Sequence, residues 1–512
     1  MTFEPDYDVC LLLEGTYPFV AGGVSTWLHN LIIALPEIRF TGICILPDLD
    51  ESRKIKYDLP DNFKDMKTIS IHDFDLKQRK KANKKKRLQQ IDLLNTFHLK
   101  MLEKNYSFFS NILPIFRHSD EAGLTPHDMI YGKEAWNLLL DFYKPEENNE
   151  SFIDYFWTYR ITHLPLFKIL STEVPKAKVY HSISTGYAGL LGVIAKHIHQ
   201  RPFLLTEHGL YTKERKIEIV HTEWIYTHGS EQARIQKDLG AFQKIWINLF
   251  ESIGRMTYQN ANRIFTLYEG NRQIEISQGA DPDKTFVIPN GIDIEKFSRL
   301  KPKDLKEDKT EKKSFNVAYI GRIVPIKDIK TFIRACKVVS IHLHNVKFYI
   351  MGPVDEDPQY YQECLELVQL LGLQEYIEFT GEIDVVDYYP ILDLIVLTSI
   401  SEAQPLVILE ANCTGIPIVA SDVGACREML EGRSEADKEL GPSGIVTRVS
   451  DPVDTAQGII KILSDEELRQ NMSIVGRKRV ESFYRDSDLH NKYLNIYKEF
   501  MKKSGSEGQE KY

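Results

Sequence analysis

The chain has few of the features that would place it outside a reducing compartment. Its six cysteines (Cys10, Cys44, Cys336, Cys364, Cys413, Cys426) are scattered over 512 residues with no CxxC pair. Several fall inside apolar strand or helix patterns, where cysteine packs as a small hydrophobe. This argues against a disulfide framework or a structural zinc site and leads us to expect a cytoplasmic protein. No run approaches the roughly 20 apolar residues needed to cross a bilayer. The opening MTFEPDYDVCLLLEG carries acidic residues where a secretory signal needs basic ones, and its apolar run is only Val9 to Leu13. Excess positive charge is also missing. With 64 Lys+Arg against 73 Asp+Glu, the net charge is −9, which argues against a general nucleic-acid or membrane-surface binder. One local exception stands out, the basic run KQRKKANKKKR at 77–87. It reads as a solvated loop, or as a segment docking to an acidic partner or anionic lipid.

A chain this long holds two or three domains with sizeable cores. Short apolar strands alternate with amphipathic helices, the pattern of α/β architecture with parallel sheets. The first strand is expected at Asp8–Leu13. After it come a glycine-bearing loop and a helix from about Ser25 to Leu35, with Trp27, Leu28, Leu31, Ile32 and Leu35 at helical spacing. Residues 50–150 are charged and aromatic-rich and read as a largely helical insertion. Alternation returns at Lys178–Ile183, Tyr187–His199 and Phe203–Thr206, followed by a long helical stretch at 230–260. Residues 301–314, KPKDLKEDKTEKKS, read as a solvated linker. Beyond it FNVAYIG, VKFYIMG, IEFTG, LIVLTSI, IPIVAS and GIVTRV read as strands. The expected division is a first Rossmann-like domain at 1–300, a second at 315–485, and a terminal helix at 486–505 packing back on the first. A ligand cleft between two such domains is the default expectation.

Four groups of residues can carry chemistry. Gly22 and Gly23 lie between a strand and a helix, where backbone N–H groups and the positive helix end can approach an anion. Arg322 and Lys327, in GRIVPIK, combine a bidentate fork with a compact charge, which suits a diphosphate. On composition alone the same pair reads as solvated surface cations. Glu402 falls in the loop after LIVLTSI, at the carboxyl end of a parallel strand, where ligands bind in open α/β sheets. Pro405 suits a first helical position, and Glu410 lies about a turn and a half into the helix. Two glutamates eight apart also arise by chance, so position and not spacing supports them. His208, in LLTEHG, sits just past a strand end with Gly209 beside it. Asp281-Pro282-Asp283 spells a metal-binding DxD but lies in a turn before FVIPN.

In order along the chain, Gly22-Gly23, His208, IPNGID at 288–293, Arg322 with Lys327, and Glu402 with Glu410 resemble the retaining glycosyltransferases of family 4, which have the GT-B fold. VCLLLEGTYPFVAGGVSTWLHNLI, TEHGLYTKER, GRIVPIKDIKTFIRA and TSISEAQPLVILEA are similar, more narrowly, to the subgroup acting in bacterial Pel exopolysaccharide biosynthesis. Two positions depart from the pattern. Asp328 stands where many members have glycine, and Ala403-Gln404-Pro405 replaces a glycine-rich stretch.

The resemblance implies a UDP-sugar donor, a polysaccharide acceptor, retention of anomeric configuration, and no metal or other cofactor. It implies that Arg322 and Lys327 hold the diphosphate and Glu410 the ribose. Glu402 and the backbone of Gln404, Pro405 and Leu406 then lie against the donor sugar and phosphates. Gly22 and Gly23 approach the phosphate or acceptor, and His208 the transferred sugar. Glu402 and His208 are the expected catalytic residues. An inner-membrane exopolysaccharide synthase complex is the expected partner, holding a cytoplasmic enzyme at the membrane periphery. Two alternatives share the cleft: a GT-B sugar-nucleotide epimerase, and a non-catalytic UDP-sugar-binding subunit of a membrane synthase.

Overall fold

The computed structural model describes residues 5–20, 22–48, 54–73, 84–117, 124, 126–143, 151–221, 241–300 and 314–506. The chain divides into two compact units. The first comprises Met1–Thr266, Arg272–Phe286 and Leu494–Tyr512, and the second Leu267–Asn271 and Val287–Tyr493.

The first unit is built on a seven-stranded sheet of β1 (Tyr7–Glu14), β2 (Phe40–Leu46), β3 (Phe63–Ser70), β4 (Ala177–Ser182), β5 (Phe203–Glu207), β6 (Arg263–Thr266) and β7 (Thr285–Val287). Its order is β3-β2-β1-β4-β5-β6-β7, and the pairs from β3 through β6 are parallel. Val9 to Leu13 are buried without alternation, because a central parallel strand is covered on both faces.

The second unit carries a six-stranded parallel sheet of β8 (Phe315–Ile320), β9 (Val346–Met351), β10 (Ile377–Gly381), β11 (Leu394–Leu397), β12 (Ile418–Ser421) and β13 (Gly444–Thr447). The order is β10-β9-β8-β11-β12-β13. In each sheet the strand order reverses once, between β1 and β4 and between β8 and β11. Such reversals open a crevice at the carboxyl ends of the flanking strands.

Residues 50–150 differ from the expected helical insertion. β3 lies within them and pairs with β2 from Phe63 to Ser70, with a register shift that skips Lys64. Its middle, Lys64 to Lys67, is largely exposed and polar, so this edge strand lacked the apolar signal of its neighbours. The helical part runs from Lys84–Leu102 through Phe109–Arg117, Pro126–Tyr131 and Lys133–Phe142 to Phe152–Ser171. Residues 77–83 of the basic run and 301–313 of the linker lie outside the described residues, while Lys84–Arg87 open the first of these helices. In the expected 230–260 helix, the described part is Ala241–Asn260.

Residues from Leu494 onward complete the first unit. Tyr497 meets buried His181 of β4 through its hydroxyl at 2.7 Å, and Glu499 accepts both guanidinium nitrogens of Arg263 at 2.9 and 3.0 Å. In the second unit, fully buried Arg479 donates to Asp437 Oδ1 at 2.6 Å, to the carbonyls of Leu430 and Gly441, and to Ser443 Oγ. A buried charge persists only with such complete pairing. All six cysteines are buried and none forms a disulfide. Among the described residues no helix is long and apolar enough to cross a membrane.

Candidate functional site

The loops following β8 and β11 meet at the strand reversal of the second unit. Gly321 follows β8 beside Gly352, whose φ is +147°, and a Cβ on Gly352 would lie 2.2 Å from the Gly321 carbonyl oxygen. Only glycine permits this approach of two strand ends. The chain then passes Arg322 into a 3-10 turn, Pro325–Lys327, and reaches Asp328 in the left-handed region at φ 47°.

That conformation usually selects glycine, yet Asp328 gains from its side chain. Its carboxylate accepts from Thr331 N (3.2 Å), Thr331 Oγ1 (2.8 Å) and Ser450 Oγ (2.8 Å), capping the helix Ile329–His342. The departure from glycine noted in the sequence is therefore compensated locally. Thr398 Oγ1 donates to the carbonyls of Lys327 and Asp328, and Ile400 N donates to the Ile326 carbonyl at 2.9 Å. These bonds lash the two loops together.

Held this way, the Lys327 ammonium donates directly to Glu402 Oε1, which also accepts from Ser399 Oγ at 2.7 Å. The pair is mostly buried, with 19% of the Lys327 side chain and 12% of the Glu402 side chain exposed. Glu402 is positioned from below by Gly424 (φ +54°), where a Cβ would lie 2.2 Å from the Glu402 carbonyl. Ala425 N donates to the Ala403 carbonyl at 2.8 Å. Arg322 shares the β8 loop but is 55% exposed and pairs with Glu356 at 2.7 Å.

The helix Leu406–Thr414 starts one residue later than the sequence suggested, with Pro405 at its N-cap. Its opening amides, Leu406 and Val407, have no acceptor within the helix, so the N-terminus offers donors to an anion. Gln404 differs from a simple ligand contact. Its side chain is buried and its Oε1 accepts from Asn290 N at 2.7 Å, so it fixes the IPNGID segment. Glu410 is half-buried inside this helix, with Oε2 accepting from the Tyr389 hydroxyl. Burial raises its pKa, opposed by the Tyr389 hydrogen bond and Lys296. Oε1 is left without a protein donor among the described residues, so it can accept from a ligand hydroxyl.

The remaining candidates belong to the first unit. Gly22 has extended backbone and Gly23 begins the helix Gly23–Ala34. A Cβ at either would meet nothing within 4 Å, so the fold itself does not demand glycine there. His208 follows β5, is buried, and lies edge-on against Trp27 with centroids 4.4 Å apart. Burial lowers its pKa to about 3, which keeps the imidazole neutral. Its Nε2 is buried with no hydrogen-bond partner among the described residues, an unsatisfied atom that calls for an external group.

Several residues escaped the sequence reading. Ser399, Gly424 and Tyr389 shape the Glu402 and Glu410 environments. The polar Thr398-Ser399 at the end of an otherwise apolar strand was the available signal. In the first unit, buried Glu207 accepts from Tyr258 OH (2.7 Å), Thr185 Oγ1 (2.9 Å) and Tyr211 N (3.1 Å). Nearby Glu275 is buried with both carboxyl oxygens lacking a close donor. Burial raises both pKa values, with the Glu207 charge adding to the rise at Glu275 and the Glu214 charge to that at Glu207, which favours a retained proton at this site. Asp281 caps a 3-10 turn through Asp283 N at 3.0 Å. Among the described residues there is no group of three or more His, Cys, Asp or Glu arranged to hold a metal ion.

Comparison with known proteins fits this geometry. Residues 7–283 match a family described as "Domain of unknown function (DUF3492)". Residues 301–479 match "Glycosyl transferases group 1". The capsular polysaccharide biosynthesis glycosyltransferase CapM of Staphylococcus aureus is 25% identical over 328 residues, 62% of this chain and 76% of that protein. A UDP-Gal:alpha-D-GlcNAc-diphosphoundecaprenol alpha-1,3-galactosyltransferase of Escherichia coli is 28% identical over 273 residues, 51% of this chain and 61% of that protein. A D-inositol 3-phosphate glycosyltransferase of Paenarthrobacter aurescens is 28% identical over 222 residues, 40% of this chain and about half (49%) of that protein. Among solved structures, sucrose-phosphate synthase of Thermosynechococcus elongatus aligns with TM-score 0.57 at 16% identity, covering 96% of this chain and 98% of that one. Anabaena HepE aligns with TM-score 0.54 at 14% identity, covering 96% and 99%. Both share the GT-B fold of two Rossmann-like domains with this chain.

Proposed function

We propose, from the premise that the chain belongs to the DUF3492 family and carries a group 1 glycosyltransferase domain on a GT-B fold, that it moves a sugar from a UDP-sugar onto a growing exopolysaccharide with retention and without a metal ion. The observation that carries the reading is the convergence of Lys327, Glu402 and the Leu406–Thr414 helix N-terminus at the β8–β11 reversal. A relative named for transfer from UDP-galactose and another named for capsular polysaccharide biosynthesis support a UDP-sugar donor and a polysaccharide acceptor.

In this reading Lys327, Arg322 and the Leu406 and Val407 amides stabilise the charge that develops on the departing β-phosphate, the task a divalent ion performs elsewhere. Glu410 accepts from the ribose through Oε1. Glu402 orders Lys327 and faces the donor sugar. Neutral His208 offers its unpaired Nε2 to the transferred sugar. The bond from C1 to the β-phosphate oxygen breaks, the acceptor oxygen attaches on the same face, and its proton passes to the departing phosphate. The setting is the cytoplasm beside an inner-membrane exopolysaccharide synthase complex, as for PelF in Pel biosynthesis.

Calorimetric titration of UDP, UDP-glucose and UDP-N-acetylhexosamines in EDTA tests the reading. UDP should bind without added Mg²⁺, and Arg322→Ala should weaken it. A strict Mg²⁺ requirement would overturn the metal-free site. Conversion of the donor to another sugar nucleotide with no acceptor present, followed by NMR, would replace transfer with epimerisation.

A further inference from the structure

We propose that the helical insertion of the first unit carries a docking face for the anionic headgroup surface of a membrane, formed by the outer sides of Lys133–Phe142 and Phe152–Ser171. Ile153, Trp157 and Ile161 recur at intervals of four along the longer helix and are 65%, 50% and 39% exposed. Trp136 and Leu140 repeat that interval on the shorter helix at 41% and 42%, and Tyr131 beside them is 57% exposed. The residues form one continuous surface. Trp136 contacts Phe152 and Phe156, Phe156 contacts Trp157, and the Arg160 guanidinium lies 5.5 Å from the ring centroids of both Trp157 and Tyr131. A helix normally turns such a stripe inward. Here each helix has a separate buried face, Ala135, Leu138 and Leu139 on one and Tyr155, Tyr159 and Thr162 on the other, so the outward stripe is additional.

Composition and charge select the occupant. Tryptophan and tyrosine with aliphatic neighbours suit the boundary between headgroups and acyl chains, where an apolar body meets a polar rim. Arg160 sets a guanidinium, the geometry that binds phosphate, within the aromatic surface. The cation-rich start of Lys84–Leu102 is fastened to the same place, since Arg87 pairs with Asp128 at 3.4 Å and Glu134 at 3.3 Å. Arg87 thereby neutralises Asp128 and Glu134, and exposed Lys84, Lys85 and Lys133 together with Arg160 outnumber Asp141 and Asp154, the acidic residues left on the two helices. Against a chain of net charge −9, this end is locally positive and orients the protein toward an anionic surface. A buried small ligand is a poor alternative. The cavity beneath, lined by Trp136, Tyr159, Arg160 and His163 among others, has a volume of about 20 Å³, room for about one water. The association is peripheral and does not depend on the identity of the donor.

Co-sedimentation of the full chain with vesicles tests this, using phosphatidylcholine alone and phosphatidylcholine with one-third phosphatidylglycerol. Binding should be confined to the anionic vesicles, weaken with salt, and be accompanied by a blue shift of tryptophan emission. Trp136→Ala with Trp157→Ala should lower partitioning about tenfold or more. Lys84→Glu and Lys85→Glu should each lower it about fivefold. Unchanged melting and unchanged transfer to a soluble acceptor would show that each variant is folded. No binding to anionic vesicles, equal binding to neutral ones, or equal binding by the tryptophan variant would overturn the proposal. So would a solution dimer that dissociates on Trp157→Ala, which would assign the face to a second copy of the chain.

Discussion

Lys327 and Glu402 stand 75 positions apart and form a direct ion pair, with Ser399 adding a second donor to the same carboxylate oxygen. In the proposed donor site, an incoming diphosphate would share the Lys327 ammonium with Glu402. Each charge-assisted hydrogen bond contributes about 1.5–3 kcal/mol when sheltered, so Lys327→Ala should weaken UDP binding roughly ten- to a hundredfold. Glu402→Gln releases the ammonium, and the expected result is equal or tighter UDP binding with transfer nearly abolished. Calorimetry and product assays on both variants check this, and a Glu402→Gln enzyme with full transfer activity would remove the residue from catalysis.

Gly23 offers a cleaner probe because the protein has nothing within 4 Å of its missing Cβ. Alanine is the better helix former by about 1 kcal/mol, so Gly23→Ala should melt at the same temperature or higher. Transfer should nevertheless fall at least about tenfold if the bound substrate approaches this backbone closely. A variant equally stable and equally active would show that no substrate comes near.

For Asp328 the prediction is an order of stabilities. Asp328→Gly loses the side-chain cap, about 1 kcal/mol, but suits the left-handed backbone. Asp328→Ala loses the cap and retains the strain, about 2 kcal/mol together. Denaturant unfolding should therefore rank wild type above glycine and glycine above alanine. If alanine matched glycine, the left-handed geometry at φ 47° would be without energetic weight.

Glu207 and Glu275 make the first unit sensitive to alkali. Burial raises both pKa values above the ordinary 4.5 of glutamate. The stability they allow is thus fully present below that value and declines as pH rises through the elevated folded-state pKa values. Glu275→Gln keeps the shape of the protonated side chain and has no second charge to form. Thermal melts from acid to mildly alkaline pH should show a shallower loss for Glu275→Gln than for wild type. Parallel curves would mean that the pair carries no retained proton.

Much of the second unit was legible because its six strands are apolar runs closed by glycine or a polar residue, and a buried parallel strand leaves that mark. The same regularity placed Glu402 in the loop after β11. β3 was hidden because Lys64, Asp65 and Lys67 occupy an exposed edge. The role of Gln404 was unreadable, since its partner is a backbone amide 114 positions away. Asp328 was visible as a departure from glycine. Its compensation lies in Thr331 and in Ser450, and only the folded chain brings Ser450 to it. Pairings of this kind depend on tertiary distance, which periodicity does not encode.

The first unit closes with the last residues of the chain, for Tyr497 meets His181 and Glu499 holds Arg263. On the ribosome, a domain usually settles soon after its own sequence emerges. Here β4 and β6 wait for a helix translated after more than two hundred intervening residues, a separation of 316 positions for Tyr497 and His181. Until that helix emerges, the face of His181 that meets Tyr497 stays uncovered. Truncated translation products lacking the final helix are therefore expected to be targets for chaperones and proteases, although they contain every residue assigned to donor binding.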